Sequence, residues 1–141
     1  MSVYRDPQKL IEYLTEWIKE QFRAAGAKGA VLGISGGIDS AVLAGLLSRS
    51  LGKENVIGVI MPCHSQPIDE EYAIELADAL GIRKYKVDLT KSYDQMVSSI
   101  KEEGLDLGAL PSANIKPRLR MTTLYAIAQQ NGYLVCGGGN R

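Results

Sequence analysis

Apolar side chains recur at helical spacing within the first 26 residues. Asp6 followed by Pro7 is a helix-start signal, because aspartate caps free N–H groups and proline fits the first helical position. Gly26 is placed to end the segment. The apolar positions that share one face are Leu10, Ile11, Leu14, Trp17, Ile18 and Phe22. The pattern predicts an amphipathic helix, with Trp17 in a core or an interface rather than against a ligand.

Short apolar runs alternate with helical segments along the rest of the chain. The runs at residues 30–34 and 55–61 are nearly continuous, which is typical of parallel strands buried on both faces. A shorter run at 84–88 and another just before Gly137 bring the number of predicted strands to four. The helices between them are predicted to run to about Ser50, from Asp69 to about Leu80, and from Thr90 or Ser92 to Ile100.

This alternation predicts the fold class, a three-layer α/β/α fold with a parallel sheet. With right-handed crossovers the four strands take the order 3-2-1-4, and the switch point lies between the first and fourth strands. The fourth strand would then lie at the edge of the sheet and leave an apolar strand without a partner on its outer side. Because natural sheets avoid such edges, we expect a fifth strand beside it.

The segment between the first strand and the second helix is rich in glycine and hydroxyl groups. Two adjacent glycines let backbone N–H groups approach a ligand without intervening side chains. Phosphate oxygens placed there would meet unpaired N–H groups and the positive end of the helix dipole. The residues are Gly33, Ile34, Ser35, Gly36, Gly37, Ile38, Asp39 and Ser40. They predict a phosphate-binding loop, and the simpler alternative is a glycine turn with a serine or aspartate helix cap.

Asp39 indicates what else this loop binds. A carboxylate repels a bound phosphate unless a cation lies between them, so Asp39 predicts a Mg²⁺ ion that bridges to the phosphates. The loop differs from the common mononucleotide loop, which carries a lysine to the terminal phosphates. No lysine lies between Lys28 and Lys53.

Composition narrows the class of protein. The chain has 141 residues, which suits one domain, and its 45% hydrophobic and 23% charged residues are ordinary for a globular protein. Sixteen basic residues balance sixteen acidic ones, so a broad nucleic-acid-binding surface is not expected. Cys63 and Cys136 form no metal-binding or redox pair and suit the reducing cytoplasm. The sequence has no apolar run near 20 residues and no signal segment, so no membrane association is expected.

A second informative stretch covers residues 114–129. Asn114 is predicted to cap a helix and Pro117 to lie in its first turn. Three cations would then crowd the positive end of that helix, namely Lys116, Arg118 and Arg120. An anionic ligand or a carboxylate from elsewhere would relieve the conflict, and charges that simply point into water are the alternative.

Two remaining features are interpreted as structural. His64 is the single histidine, has no partner visible in the sequence, and is expected in an exposed loop rather than in a zinc site. Asp69, Glu70 and Glu71 are expected to begin a helix rather than to bind a metal.

The string S-G-G-x-D-S at Ser35 to Ser40 resembles the loop of the N-type ATP pyrophosphatases, whose fold is the adenine nucleotide alpha hydrolase type. These enzymes cleave ATP between its α and β phosphates and adenylate a substrate. The resemblance implies that the loop holds the departing pyrophosphate and leaves the α phosphorus open to attack.

The pattern N-I-K-x-R-x-R-M-x-x-x-Y from Asn114 to Tyr125 resembles ammonia-dependent NAD⁺ synthetase. The resemblance implies a ligase that amidates deamido-NAD⁺ with ammonia through an acyl adenylate and releases AMP and pyrophosphate. It implies that residues 33–40 bind ATP, that Asp39 binds Mg²⁺, and that Asn114, Arg118 and Tyr125 bind deamido-NAD⁺. It also implies a homodimer interface in this region, and it assigns no catalytic acid or base.

The sequence departs from this family at three places. Pro117 replaces the usual alanine, and Gly138 replaces a threonine that contacts ATP, which leaves Gly138 as a tentative ATP contact. The family also continues well beyond residue 141. The sequence therefore predicts the N-terminal part of a single synthetase domain, with weak ATP binding and little activity of its own.

Three other functions stay open. One is another adenylating ligase of the GMP synthetase type, and one is an inactive ATP-binding module. The third is a tRNA sulfur-transfer enzyme, which the balanced charge and the lack of paired catalytic cysteines disfavour.

Overall fold

The computed structural model describes residues 6–137. Its elements are α1 (Pro7–Ala25), β1 (Ala30–Gly33), α2 (Ile38–Leu51), a 3₁₀ turn (Lys53–Asn55), β2 (Val56–Ile60), α3 (Pro67–Leu80), β3 (Arg83–Lys86), α4 (Thr90–Lys101), α5 (Ala109–Asn131) and β4 (Leu134–Val135). Helices and strands alternate as predicted, and their boundaries lie within a few residues of the expected places except at the start of α5.

The four strands form one parallel sheet in the order β3-β2-β1-β4, which confirms the predicted topology. β1 pairs with β2 from Ala30 opposite Val56 to Gly33 opposite Val59, and Ala30 also lies opposite Leu134 of β4. Since every pairing is parallel, the carboxyl ends of β1, β2 and β4 lie at one edge of the sheet. The order reverses between β1 and β4, so a crevice is expected at that edge.

The sheet is covered on both faces, as the three-layer prediction requires. On one face, the buried residues of β1 and β2 pack with α1, α2 and α3, which contribute Ile18, Phe22, Ala44, Leu47, Ala73 and Ala77. On the other face, Val31, Ile57 and Val59 pack with Ala128 and half-buried residues of α5. Alternate residues of β1 and β2 therefore point into two different cores, which explains why these strands are apolar throughout.

Helix α1 begins and ends as predicted. The Asp6 carboxylate accepts hydrogen bonds from the N–H groups of Gln8 and Lys9 at 3.1 and 3.3 Å. Gly26 ends the helix in the left-handed conformation. The core alternative for Trp17 is wrong, because this side chain is 53% exposed, and the interface alternative stays a prediction. Helix α1 packs on α2 through a narrow stripe that includes Ile18, and the adjacent position 17 lies about 100° away around the helix.

Helix α5 begins earlier than predicted. It starts at Ala109, with Gly108 as its N-cap, so the proline in its first turn is Pro111. Pro117 lies in the helix interior, where its missing N–H leaves a carbonyl one turn earlier without its usual donor. Asn114 is likewise an interior residue and caps nothing. The prediction that three cations crowd the start of this helix is therefore wrong.

Within residues 6–137, no helix is both long enough and apolar enough to cross a membrane.

Candidate functional site

The predicted phosphate loop lies at the carboxyl edge of the sheet, between β1 and α2. Ile34 extends the sheet by one hydrogen bond, from its N–H to the Val59 carbonyl at 2.9 Å. The chain then turns through Ser35, Gly36 and Gly37, and Gly37 is the N-cap of α2. The loop therefore stands above the carboxyl ends of β1 and β2, where parallel sheets bind ligands.

Two serine side chains hold the loop in shape. Ser40 Oγ accepts a hydrogen bond from the Ser35 N–H at 3.3 Å and donates one to the Gly37 carbonyl at 3.1 Å. Ser35 Oγ accepts from the Gly37 N–H at 3.2 Å and lies 3.4 Å from Ser40 Oγ. These hydroxyls, expected to contact phosphate directly, thus also fix the backbone that would do so.

The start of α2 has unused donors. The N-cap residue of α2 is Gly37, which has no side chain that could accept a hydrogen bond from these donors. The N–H groups of the first helical residues, Ile38, Asp39 and Ser40, have no intrahelical acceptors because of their position. These donors and the helix dipole favour an anion at this place. The alternative of a serine or aspartate cap is therefore not the arrangement found here.

Gly36 is required by a close approach rather than by an unusual backbone angle. A Cβ atom at Gly36 would lie 3.2 Å from both the Cα and the carbonyl oxygen of Asp69. Gly37 has φ −87° and ψ 161°, which any residue can adopt. The first turn of α3 thus lies against the loop, and Gly36 leaves room for it.

This packing brings a second carboxylate to the loop. Asp69 Oδ1 lies 3.4 Å from the position of that same Cβ atom. The sequence placed Asp69 correctly in the first turn of a helix but did not bring it near Gly36. The missing information was tertiary, since β2 pairs with β1 and α3 leaves β2 at the edge from which the loop also emerges.

Asp39 fits the predicted role of a Mg²⁺ ligand. Its side chain is exposed in the first turn of α2, next to the unused N–H groups. Magnesium is usually bound through one or two carboxylates together with substrate phosphates, rather than by a cage of protein ligands alone. A carboxylate beside a helix start that has unused N–H donors matches that pattern.

The three cations of α5 divide between opposite sides of the helix. Lys116 and Arg120 are one turn apart and face the loop that follows β2, whereas Arg118 lies about 200° around from each of them. Arg120 Nε donates to the Met61 carbonyl at 3.2 Å. Lys116 Nζ lies 5.5 Å from the centre of the Tyr93 ring.

The predicted substrate residues share one outward face of α5. Asn114, Arg118 and Tyr125 are spaced by four and seven residues, which places them within about 40° of one another. All three are exposed, and Arg118 Nη1 donates to the Asn114 carbonyl at 3.1 Å. No hydrogen bond or ion pair in the described part of the chain joins these three residues to the phosphate loop.

His64 lies in an exposed loop, as predicted, but it has a partner. Its Nε2 atom lies 2.7 Å from Asp94 Oδ1, and its ring meets the Tyr93 ring edge-on with centroids 5.6 Å apart. The His64 N–H also donates to Thr90 Oγ1 at 3.2 Å. These contacts attach the loop after β2 to the start of α4, which sequence reasoning missed because the partners are far apart in the chain.

The Cys63 thiol is buried beside this loop. Burial raises the pKa of Cys63, and the positive charges of Lys116 and Arg120 partly oppose the rise. Both cations are therefore within electrostatic reach of the end of β2.

Gly138, the tentative ATP contact, falls outside the described residues. A groove of about 430 Å³ is lined by Tyr85 and Lys86 of β3 and by Val87, together with the C-terminal turns of α5. No residue of the phosphate loop lines this groove, so its size does not mark the candidate site.

The parallel sheet in the order 3-2-1-4, the glycine loop at its switch point and the likeness to solved synthetase structures together give the chain an adenine nucleotide alpha hydrolase fold. A profile described as NAD synthase matches residues 10–141. The chain belongs to the NAD synthase family.

Individual relatives agree with this assignment. The chain is 53% identical to the NH₃-dependent NAD⁺ synthetase of Finegoldia magna over 133 residues, which cover 94% of this chain and 54% of the relative. The structure of the NH₃-dependent NAD synthetase from Campylobacter jejuni superposes with a TM-score of 0.84 and 31% identity, covering 94% of this chain and 56% of the other. NMN synthetase from Francisella tularensis gives a TM-score of 0.87 and 32% identity, covering 96% and 55%. The chain thus spans about half the length of the relatives it matches.

Proposed function

We propose that this chain carries the ATP site of an ammonia-dependent NAD⁺ synthetase. The observation that carries the proposal is the uncapped start of α2 at the switch point, held in shape by Ser35 and Ser40. Membership of the NAD synthase family supports the reaction, which amidates deamido-NAD⁺ at the expense of ATP. The free thiols of both cysteines are in keeping with a reducing cytoplasm.

In this reaction the nicotinate carboxylate of deamido-NAD⁺ forms a bond to the α phosphorus of ATP. The bond from that phosphorus to the bridging oxygen breaks, and its electron pair leaves with pyrophosphate. Ammonia then forms the amide bond, AMP leaves, and nitrogen loses a proton.

The residues of the loop act by binding and orientation in this mechanism. The N–H groups of Ile38, Asp39 and Ser40 bind the outer phosphates and stabilise the charge that grows on the leaving pyrophosphate. Asp39 would hold Mg²⁺, which neutralises phosphate charge when bound. None of the described residues is needed as a nucleophile, so positioning carries the chemistry.

We assign deamido-NAD⁺ to the outward face of α5, through Asn114, Arg118 and Tyr125. Arg118 supplies a cation for the substrate's phosphates, and Tyr125 supplies an exposed ring for stacking. The same face exposes Leu110 and Met121, of which 73% and 52% are accessible. An exposed apolar stripe on this face supports the homodimer that the family resemblance implies.

Phosphorus-31 NMR of an ATP titration tests the loop assignment. With Mg²⁺ present, we expect the β and γ resonances to shift more than the α resonance. Ser40→Ala should weaken binding by about tenfold, because it removes hydrogen bonds that hold the donors in place. Ser98→Ala is a matched control on the exposed surface of α4, and an equal loss in both variants would contradict the assignment.

Pyrophosphate release tests the reaction. Pyrophosphate release above background should require deamido-NAD⁺, and release over many turnovers should also require ammonia, which removes the acyl adenylate. Release that instead requires a xanthine nucleotide would indicate a ligase of the GMP synthetase type, and ATP binding without release would indicate a binding module. Because the chain is similar to an NMN synthetase, the acid form of NMN should also be tested in this assay as a competing substrate.

A further inference from the structure

We propose that Arg120 forms a second anion site, beside the phosphate loop, that holds the innermost phosphate of the bound nucleotide. The inference rests on the proposed function, because it takes the loop to hold the outer phosphates. It adds a ligand-binding residue on α5 whose side chain reaches the end of β2, whereas Arg118 lies on the opposite side of the helix.

The position of Arg120 along the strand direction follows from a row of side chains on α5. Helix α5 runs antiparallel to β1, because it leads into Leu134, whose N–H bonds the Gly29 carbonyl at the amino end of the sheet. Further along the helix, Leu124 Cδ1 lies 3.7 Å from the Cβ position of Gly33. Arg120 is one turn beyond Leu124 and belongs to the same row.

The same row places Arg120 level with the loop. Four helical residues rise about 6 Å, and two extended residues beyond Gly33 rise about 6.6 Å to Ser35. The bond from Arg120 Nε to the Met61 carbonyl, at 3.2 Å, independently places the guanidinium group at the end of β2. Met61 Cε in turn lies 3.0 Å from the Cβ position of Gly33. Arg120 is therefore next to the crevice that the loop borders.

Most N–H donors of the Arg120 guanidinium group have no acceptor in the described part of the chain. The group is half-buried, and of its five N–H donors only Nε has an acceptor within residues 6–137. No carboxylate in this described part of the chain lies within 4.0 Å of it. A half-buried cation without an anionic partner is costly, so an anion in the crevice would bind it favourably.

The anchoring bond suits a binding role. With Nε fixed to Met61, the planar guanidinium group keeps one edge in a constant direction, and its two Nη atoms can meet two oxygens of one phosphate. Lys116, one turn further along α5, adds positive charge at the same end of β2. A phosphate held here would lie inward of the pyrophosphate that the loop binds, where the developing charge of the displacement also needs a cation.

Two ligands, AMP and inorganic pyrophosphate, distinguish the Arg120 site from the phosphate loop. AMP carries only the innermost phosphate, and inorganic pyrophosphate with Mg²⁺ occupies the loop alone. Binding of each is measured by phosphorus-31 NMR at constant ionic strength for the wild type, Arg120→Gln, Arg120→Lys and Ser40→Ala. Arg49→Gln, which removes an exposed arginine at the far end of α2, is the matched charge control.

We expect Arg120→Gln to weaken AMP binding by roughly 10- to 100-fold, the range for a lost charge-assisted hydrogen bond, and to change pyrophosphate binding less than twofold. Ser40→Ala should do the reverse. Arg120→Lys should bind AMP with an affinity between those of the wild type and Arg120→Gln, since lysine keeps the charge but cannot donate two parallel hydrogen bonds. Arg49→Gln should change the binding of neither ligand.

Other outcomes decide against one proposal or both. A parallel loss of AMP and pyrophosphate binding in Arg120→Gln, with a lower melting temperature, would make Arg120 structural and overturn the inference. Wild-type protein that binds pyrophosphate but not AMP would overturn it while leaving the phosphate loop intact. If the protein bound AMP through Arg120 but did not bind pyrophosphate, the phosphate-binding role of the loop would be contradicted and the Arg120 site would stand. If the protein bound neither ligand, both proposals would be overturned.

Discussion

Replacing Gly36 by alanine should destabilise the protein, and the structure predicts by how much. The new methyl group would lie 3.2 Å from the Asp69 Cα and carbonyl oxygen, closer than an ordinary contact. These are backbone atoms at the start of α3, so relief requires the loop or the helix to move by a few tenths of an ångström. Overpacking costs about 1–3 kcal/mol, and the lost flexibility of the unfolded chain returns about 0.4–1 kcal/mol. The net expectation is a loss of about 1–2 kcal/mol.

Gly37→Ala is the matched control for this change. Its Cβ atom would meet only Ser35 Oγ, at 3.4 Å, and its backbone angles are accessible to alanine. Alanine is less favourable than glycine at an N-cap, which offsets the gain of about 0.4–1 kcal/mol from a stiffer unfolded chain, so the effect on stability should be close to neutral. Urea denaturation of both variants and the wild type measures the free energies of unfolding. Equal stability of all three proteins would refute the close approach of α3 to the loop.

Three further predictions concern the loop helix, the loop itself and α4. Gly45→Ala, at an open position inside α2, should raise the free energy of unfolding by about 1 kcal/mol, because alanine has the higher helix propensity. Ser40→Ala should lower it by about 1 kcal/mol, because a hydroxyl that joins two parts of the loop is lost, and Ser40→Thr should recover part of the loss. The hydrogen bond from the Thr90 N–H holds the pKa of Asp88 below its usual 3.8, so its carboxylate should stabilise the protein above that pH. This contribution should be lost as pH falls through the lowered pKa, so the difference in melting temperature between Asp88→Ala and wild type at pH 7 should shrink as the pH falls below 3.8.

Each of these predictions has a contrary result. A destabilised Gly45→Ala variant would mean that its Cβ meets an atom that the structure places elsewhere. Unchanged stability in Ser40→Ala would mean that the loop holds its shape without that hydroxyl. A difference between Asp88→Ala and wild type that does not shrink as the pH falls below 3.8 would show that the carboxylate acts by packing rather than by charge.

The sequence predicted the strands and the glycine-rich turn between β1 and α2 well, because their signals are local. The runs around Val31 and Val59 are apolar on both sides, which only a strand buried in two cores requires. The loop is equally local, since its glycines and serines adjoin the helix whose start they form. Strand order then followed from crossover handedness, and it was confirmed.

The start of α5 shows where local signals mislead. Pro111 and Pro117 both fit the first turn of a helix when only the neighbouring residues are considered. The structure places Pro111 there and retains Pro117 in the interior, at a cost of about 3 kcal/mol that packing on the sheet must offset. Intrinsic propensity could not decide this, because α5 also packs against α4, β1 and β4.

Contacts between distant segments were also beyond sequence reasoning. The approach of Asp69 to Gly36 depends on β2 lying beside β1, and the pairing of His64 with Asp94 spans 30 positions. The exposure of Trp17 depends on how wide a stripe of α1 meets α2, which periodicity alone does not reveal. In each case the residue types were recognised and their surroundings were not.

The hydrogen bonds between Ser35, Gly37 and Ser40 have a consequence for the rate of ligand binding. Because they already aim the donors of the loop in the free protein, the entropy of ordering this segment is lost during folding and not again when an anion arrives. Association should then proceed in one step, without a slow rearrangement that follows encounter. Affinity lost through a loosened loop should accordingly appear as faster dissociation.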